Sequence, residues 1–144
     1  GLNFQGIVKD EYGKPFLPNY PYQLSLSHSY PYVAVLLDKK KPVGIDLEQL
    51  KPKLLKIAPR VLHPSELRDA GNNLVKHCIY WCAKEALIKI HGQKGLNFGE
   101  NLRIYPFTVE KTGDILGRII VGNKSVTVPL SYEIQQDFTV VFNK

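Results

Sequence analysis

The spacing of apolar residues changes period twice along this chain. Residues 22–26 alternate apolar and polar at a spacing of two, while residues 32–37 and 42–47 are continuous β-branched and apolar runs. Each is predicted to be a strand, with residues 38–41 as the turn between the second and third. From Lys53 the spacing becomes helical: Leu54, Leu55, Ile57, Ala58, Val61 and Leu62 recur on one face. Pro59 is expected to interrupt this helix, and a second short helix is expected to start near Pro64. Over residues 73–90, Leu74, Cys78, Ile79, Trp81, Cys82, Ala86, Leu87 and Ile90 keep the helical period, which predicts a long helix closed by Gly92 and Gly95. The remainder reads as strands over 103–110, 115–121, 125–133 and 138–142, separated by turns at 112–114, 122–123 and 135–136. Strands, then helices, then a meander make an α+β pattern. Residues 4–9 are too short to assign. The tetrapeptide from Gly1 to Phe4 recurs from Gly95 to Phe98, an echo that a duplicated fold would produce.

With 144 residues, 44% of them hydrophobic and 22% charged, the chain has the makeup of one domain or two very small ones, which excludes disordered and fibrous classes. No stretch approaches the roughly 20 apolar residues of a membrane helix, and no signal-peptide pattern opens the chain, so no membrane partner and a cytoplasmic location are expected. The chain begins at Gly1 and contains no methionine, so its start is expected to lie downstream of the native one. Cys78 and Cys82, one helical turn apart, are out of disulfide geometry and lack zinc spacing, and read as buried, reduced core thiols. A net charge of +6 points to an anionic partner or substrate. Base-reading and stacking signatures are not evident, so nucleic acid is not the expected partner. Lys39, Lys40 and Lys41 read as a solvated turn.

The candidate chemistry is concentrated in four places. Asp46 and Glu48 lie two apart on a strand, so their carboxylates share a side and could hold one hard cation such as magnesium; an alternating acidic strand is also a common solvated face. Glu85 and Lys89, four apart on the long helix, share a face with Trp81. They form either an exposed helix pair or a metal ligand or base beside a phosphate-neutralising lysine. His28, between Ser27 and Ser29, is either a hydrogen-bonded loop residue or a phosphate donor. Gly13, Lys14 and Pro15 form a turn unless the lysine meets an anion.

In order and spacing, five segments resemble the 4'-phosphopantetheinyl transferase superfamily: Gly13-Lys14-Pro15, residues 25–29, the GIDLE strand ending at Glu48, residues 62–66, and the WxxKEAxxK helix motif from Trp81 to Lys89. The chain is most similar to the surfactin-synthetase-activating branch. That resemblance implies an α+β fold of two pseudo-symmetric halves, an antiparallel sheet packed on a long helix in each, with the first half incomplete here. Residues 1–43 would be the tail of the first half and residues 44–144 the second half. The implied activity is magnesium-dependent transfer of phosphopantetheine from coenzyme A to a serine of an apo carrier protein, releasing 3',5'-ADP. The resemblance implies Asp46, Glu48 and Glu85 as metal ligands. Glu85 would also be the base, directly or through a metal-bound water. Lys89 would lie against the phosphates, with Lys14, Ser27 and His28 as coenzyme A contacts. Lys84 matches the motif too, but one residue before Glu85 it points elsewhere on the helix. Leu62, Leu67 and Leu74 are a candidate dock for the carrier. The competing readings are a non-catalytic coenzyme A or carrier-binding module and another magnesium-dependent phosphotransferase.

Overall fold

A computed structural model of the chain describes residues 4–144. Of the expected tetrapeptide echo, Gly1 to Asn3 lie outside the described residues. Two small antiparallel pairs come first: β1 (Val8–Lys9) with β2 (Pro15–Phe16), and β3 (Gln23–Ser29) with β4 (Tyr32–Asp38). Then β5 (Ile45–Gln49) leads into three helices, α1 (Lys53–Val61), α2 (Pro64–Ala70) and α3 (Leu74–His91). The chain closes with β6 (Leu102–Ile104), β7 (Thr112–Val121), β8 (Lys124–Ile134) and β9 (Phe138–Asn143). The last four strands and β5 form one antiparallel sheet in the order β5-β9-β8-β7-β6. This is the mixed α+β architecture expected, with an antiparallel sheet against a long helix. Among the described residues no helix is long and apolar enough to cross a membrane.

The sheet curls around α3, and the core forms at their contact. Cys78, Ile79, Tyr80, Cys82, Ala83, Ala86 and Leu87 are all 0% exposed, because α1 and α2 cover the side of α3 that the sheet leaves open. Each large aliphatic side chain buried this way contributes about 2 kcal/mol. Both cysteines are free and buried, as expected, with their sulfurs 3.1 and 3.3 Å from the Thr139 hydroxyl. Just before β5, Gly44 lies against α3, where an added Cβ would be 2.1 Å from the Ala86 carbonyl oxygen. Only glycine permits that approach, and it brings the residues that follow in β5 against the helix.

Four expectations are corrected. Pro59 lies inside α1 without breaking it. The carbonyl it leaves unbonded belongs to Leu55, which is 40% exposed and open to water. Strand β6 is three residues, not eight. Pro106 brings no N–H to a ladder, and beyond it Tyr132 Oη takes over, accepting from Glu110 N and donating to Thr108 O. That detour also moves Thr112 to Asp114 out of a turn and into β7, where they pair with Glu133 to Ser131. Finally, Leu62 is 4% exposed and part of the core, so of the expected carrier dock only Leu67 and Leu74 are partly exposed.

Candidate functional site

The end of α3 organises the site. Asn73 caps its start, its side chain accepting from Lys76 N, and Gly92 closes it at φ 72°, a left-handed conformation that glycine adopts without penalty. The last two turns carry Glu85 and Lys89. Lys14, from the β1–β2 hairpin, donates from Nζ to the Lys89 carbonyl oxygen at 2.8 Å, satisfying one of the open carbonyls of the final turn. Its aliphatic stem lies across Gly92, where an added Cβ would be 3.1 Å from Lys14 Cδ. Burial holds the Lys14 ammonium below its usual pKa, partly offset by Asp10.

Between the hairpin, β3 and the end of α3 lies a cavity of about 700 Å3. Lys14, His28 and Lys89 all line it, together with Leu24, Leu26 and Phe98. His28 is exposed there. Leu24, Leu26 and His28 line the cavity, while the Ser25 and Ser27 hydroxyls reach β5. There the two serines do what a neighbouring strand would do. Ser25 Oγ accepts from Ile45 N at 3.0 Å and Ser27 Oγ accepts from Leu47 N at 2.9 Å. Ser27 also donates to Asp46 Oδ1 at 3.2 Å. Of the expected coenzyme A contacts, Ser27 is thus buried and engaged with the acidic strand, whereas Lys14 and His28 are at the cavity.

Asp46 is 5% exposed and shares Oδ1 between Ser27 and Lys89 Nζ, the latter at 3.2 Å. Lys89 spends its other protons on the carbonyl oxygens of Leu26 at 2.9 Å and Ile45 at 2.8 Å, tying β3 and β5 to α3. Asp46 Oδ2 is buried without a partner. Burial pushes the Asp46 carboxyl up to about 8; Lys89 opposes this, and Glu48 and Glu85 add to it. Glu85 is likewise raised, chiefly by burial, with Lys89 lowering and Glu48 raising it. Glu48 accepts from Trp81 Nε1 at 3.2 Å, and the Trp81 ring stacks on the cavity-lining Phe98 at 5.6 Å. Asp46, Glu48 and Glu85 therefore feel one another's charge. Among the described residues, no three acidic, histidine or cysteine side chains lie close enough together to hold a metal ion.

Lys84 lies 0% exposed on the other side of α3 and pairs with Glu66 at 2.7 Å. Its remaining bonds go to the carbonyls of Val61 and Phe98, while Glu66 accepts from His63 N and Ile104 N. One buried ion pair joins α1, α2, α3, β6 and the loop after α3. Helical spacing could orient Lys84 away from Glu85, but Glu66 gave no signal of its own beyond its place in a capping box with His63.

A family model described as the 4'-phosphopantetheinyl transferase superfamily matches residues 42–140. The chain belongs to the 4'-phosphopantetheinyl transferase superfamily. The superfamily match spans Asp46, Glu48, Glu85 and Lys89, and Lys14, Ser27 and His28 precede it. A 4'-phosphopantetheinyl transferase of Bacillus subtilis is 34% identical over 144 residues, covering 92% of this chain and 57% of that protein. The 4'-phosphopantetheinyl transferase Sfp of Bacillus subtilis strain 168 is 37% identical over 95 residues, 60% of this chain and 41% of its own length. The 4'-phosphopantetheinyl transferase psf-1 of Bacillus pumilus is 38% identical over 93 residues, 60% and 39%. This superfamily member thus spans 57% or less of the length of these curated relatives.

Proposed function

We propose that this chain carries the catalytic part of a 4'-phosphopantetheinyl transferase, which moves the phosphopantetheine arm of coenzyme A to a serine of an apo carrier protein and releases 3',5'-ADP. The observation that carries the reading is the buried, partnerless oxygen of Asp46 next to Lys89 at the wall of a cationic cavity. An acceptor in that state, with two more carboxylates within electrostatic reach, fits a divalent cation. Magnesium suits it, because that ion takes one or two carboxylates and fills its other positions with water and substrate phosphate. Asp46, Glu48 and Glu85 would hold it. Once bound, it would draw charge from the phosphate oxygens.

Lys14 and His28 bind and orient the phosphates from the cavity side, and Lys89 adds positive charge where the transferred phosphate gains negative character. Ser27 holds Asp46 in place from behind. Glu85 takes the proton from the carrier serine directly or through water. The serine oxygen then bonds to the phosphorus that bears pantetheine, and the bridging diphosphate bond breaks toward 3',5'-ADP. Trp81, stacked on Phe98, holds Glu48 through its indole N–H. The ladder hydrogen bonds of β1 to β4 stay among those four strands, which supports a boundary near residue 43 between the tail of one half and the start of the next.

The test incubates the chain with apo carrier protein, coenzyme A and magnesium and weighs the intact carrier. The expected result is a mass gain of one phosphopantetheine arm, lost on Glu85→Gln while coenzyme A binding persists. A wild-type chain that binds coenzyme A but transfers nothing at any magnesium concentration would leave a coenzyme A-binding role in its place.

A further inference from the structure

At the end of the large sheet away from β5, two arginines stand directly opposite each other. Arg103 of β6 pairs with Arg118 of β7, and Arg118 pairs in turn with Thr127 of β8. Their neighbours Leu102, Ile104, Ile119 and Val128 are buried in the core, so strand alternation sets Arg103, Arg118 and Thr127 in one row on the outer face. None of the three lines the cavity beside Lys89. Like charges opposed in this way repel, since their Cβ atoms lie only about 5 Å apart. Arg103 makes no side-chain hydrogen bond or ion pair among the described residues, and its Nε–H is buried without an acceptor. Arg118 donates once, to the Ser125 hydroxyl at 3.0 Å. The Arg103 charge is felt at His63, whose pKa is lowered by burial and next by that guanidinium. Glu66, which bonds to the same strand, is already taken by Lys84 and by the N–H groups of His63 and Ile104.

The next row along this face is apolar. Leu116 pairs with Pro129, and Tyr105 N donates to the Leu116 carbonyl oxygen at 2.9 Å. Tyr105 and Leu116 are 43% and 46% exposed and, with Pro129, line a groove of about 240 Å3. Two residues along a strand separate the rows by about 7 Å, close to the span from a phosphorus atom to the middle of a ring bonded through oxygen. A doubly charged phosphate between the guanidinium forks would end their repulsion, and each fork can meet two of its oxygens. We propose that Arg103, Arg118 and Thr127 bind the phosphate of an aryl phosphate monoester, whose ring lies in the groove at Tyr105 and Leu116. The site is on the opposite face of the sheet from α3 and does not depend on the transferase reading.

The test follows the Arg103 Nε–H resonance by proton–nitrogen NMR while the chain is titrated with phenyl phosphate and, separately, with inorganic phosphate at constant ionic strength. Phenyl phosphate is expected to move that resonance saturably and to bind about tenfold more tightly than inorganic phosphate, because its ring leaves water. Arg103→Lys/Arg118→Lys keeps both charges and loses both forks, so phenyl phosphate affinity, read from the Leu116 and Thr127 amides, should fall about tenfold. Leu116→Ser should bring phenyl phosphate down toward inorganic phosphate and leave inorganic phosphate binding as it was. An Arg103 resonance that neither anion moves, or a lysine pair that binds as the wild type does, overturns the site. Equal affinity of the wild type for the two anions overturns the aryl ligand.

Discussion

Replacing Asp46 with asparagine separates the cost of the site from its use. The substitution keeps the shape and an oxygen to accept from Lys89 and Ser27, but removes the charge. Because the folded chain holds the Asp46 proton up to a pKa of about 8, against an ordinary 3.8, the folded state binds more protons than the unfolded one between those values. Stability from this group is therefore fully present below about pH 4 and is lost as pH rises toward about 8. Neutral pH is about three units above the ordinary value, and each unit is worth about 1.4 kcal/mol, so the ceiling on the loss is about 4 kcal/mol. Relaxation and water penetration reduce what is realised to about 1–2 kcal/mol, or about 3–6 °C in Tm for a chain of this size. Asp46→Asn should thus raise the Tm of the metal-free chain at pH 7–8, leave it unchanged near pH 4, and lose the Tm increase that magnesium gives the wild type. Thermal unfolding by circular dichroism across this pH range, with and without magnesium, measures all three. A variant less stable than wild type at every pH, with the same magnesium response, would refute both the burial cost and the assignment of Asp46 to the metal.

Lys84→Met should cost about 3–5 kcal/mol in urea unfolding, since it strands the Glu66 carboxylate at 2% exposure. Adding Glu66→Leu should recover only part of that, because His63 N and Ile104 N then lose their acceptor; full recovery would mean that the pair is not the joint described above. Gly44→Ala should cost about 1–3 kcal/mol and lower carrier modification, because a Cβ 2.1 Å from the Ala86 carbonyl must push β5, and with it Asp46, off α3. Unchanged unfolding and transfer would show that β5 can shift freely.

The strands, the long helix and its stop at Gly92 were legible because each depends on local spacing and backbone preference. The shared side of Asp46 and Glu48 was legible for the same reason, since strand alternation is a local property. The eight-residue strand expected around Tyr105 failed where Tyr132, 27 residues along the chain, supplied the competing hydrogen bonds. Nothing near Thr108 in the chain announces that partner.

What the sequence by itself determined is most of the longer elements, the family and the residue types gathered for phosphate chemistry. Tertiary structure alone decided which of them are free to act. Ser27 and His28 are neighbours on one strand, yet one is spent on β5 and the other faces the cavity. Lys84 and Lys89 lie on one helix, yet the first is sealed under α1 and α2 while the second bridges β3, β5 and Asp46. Side-chain chemistry is written in the residue, but desolvation and hydrogen-bond commitment depend on which distant segments close over it, and those come together only when the sheet folds around α3.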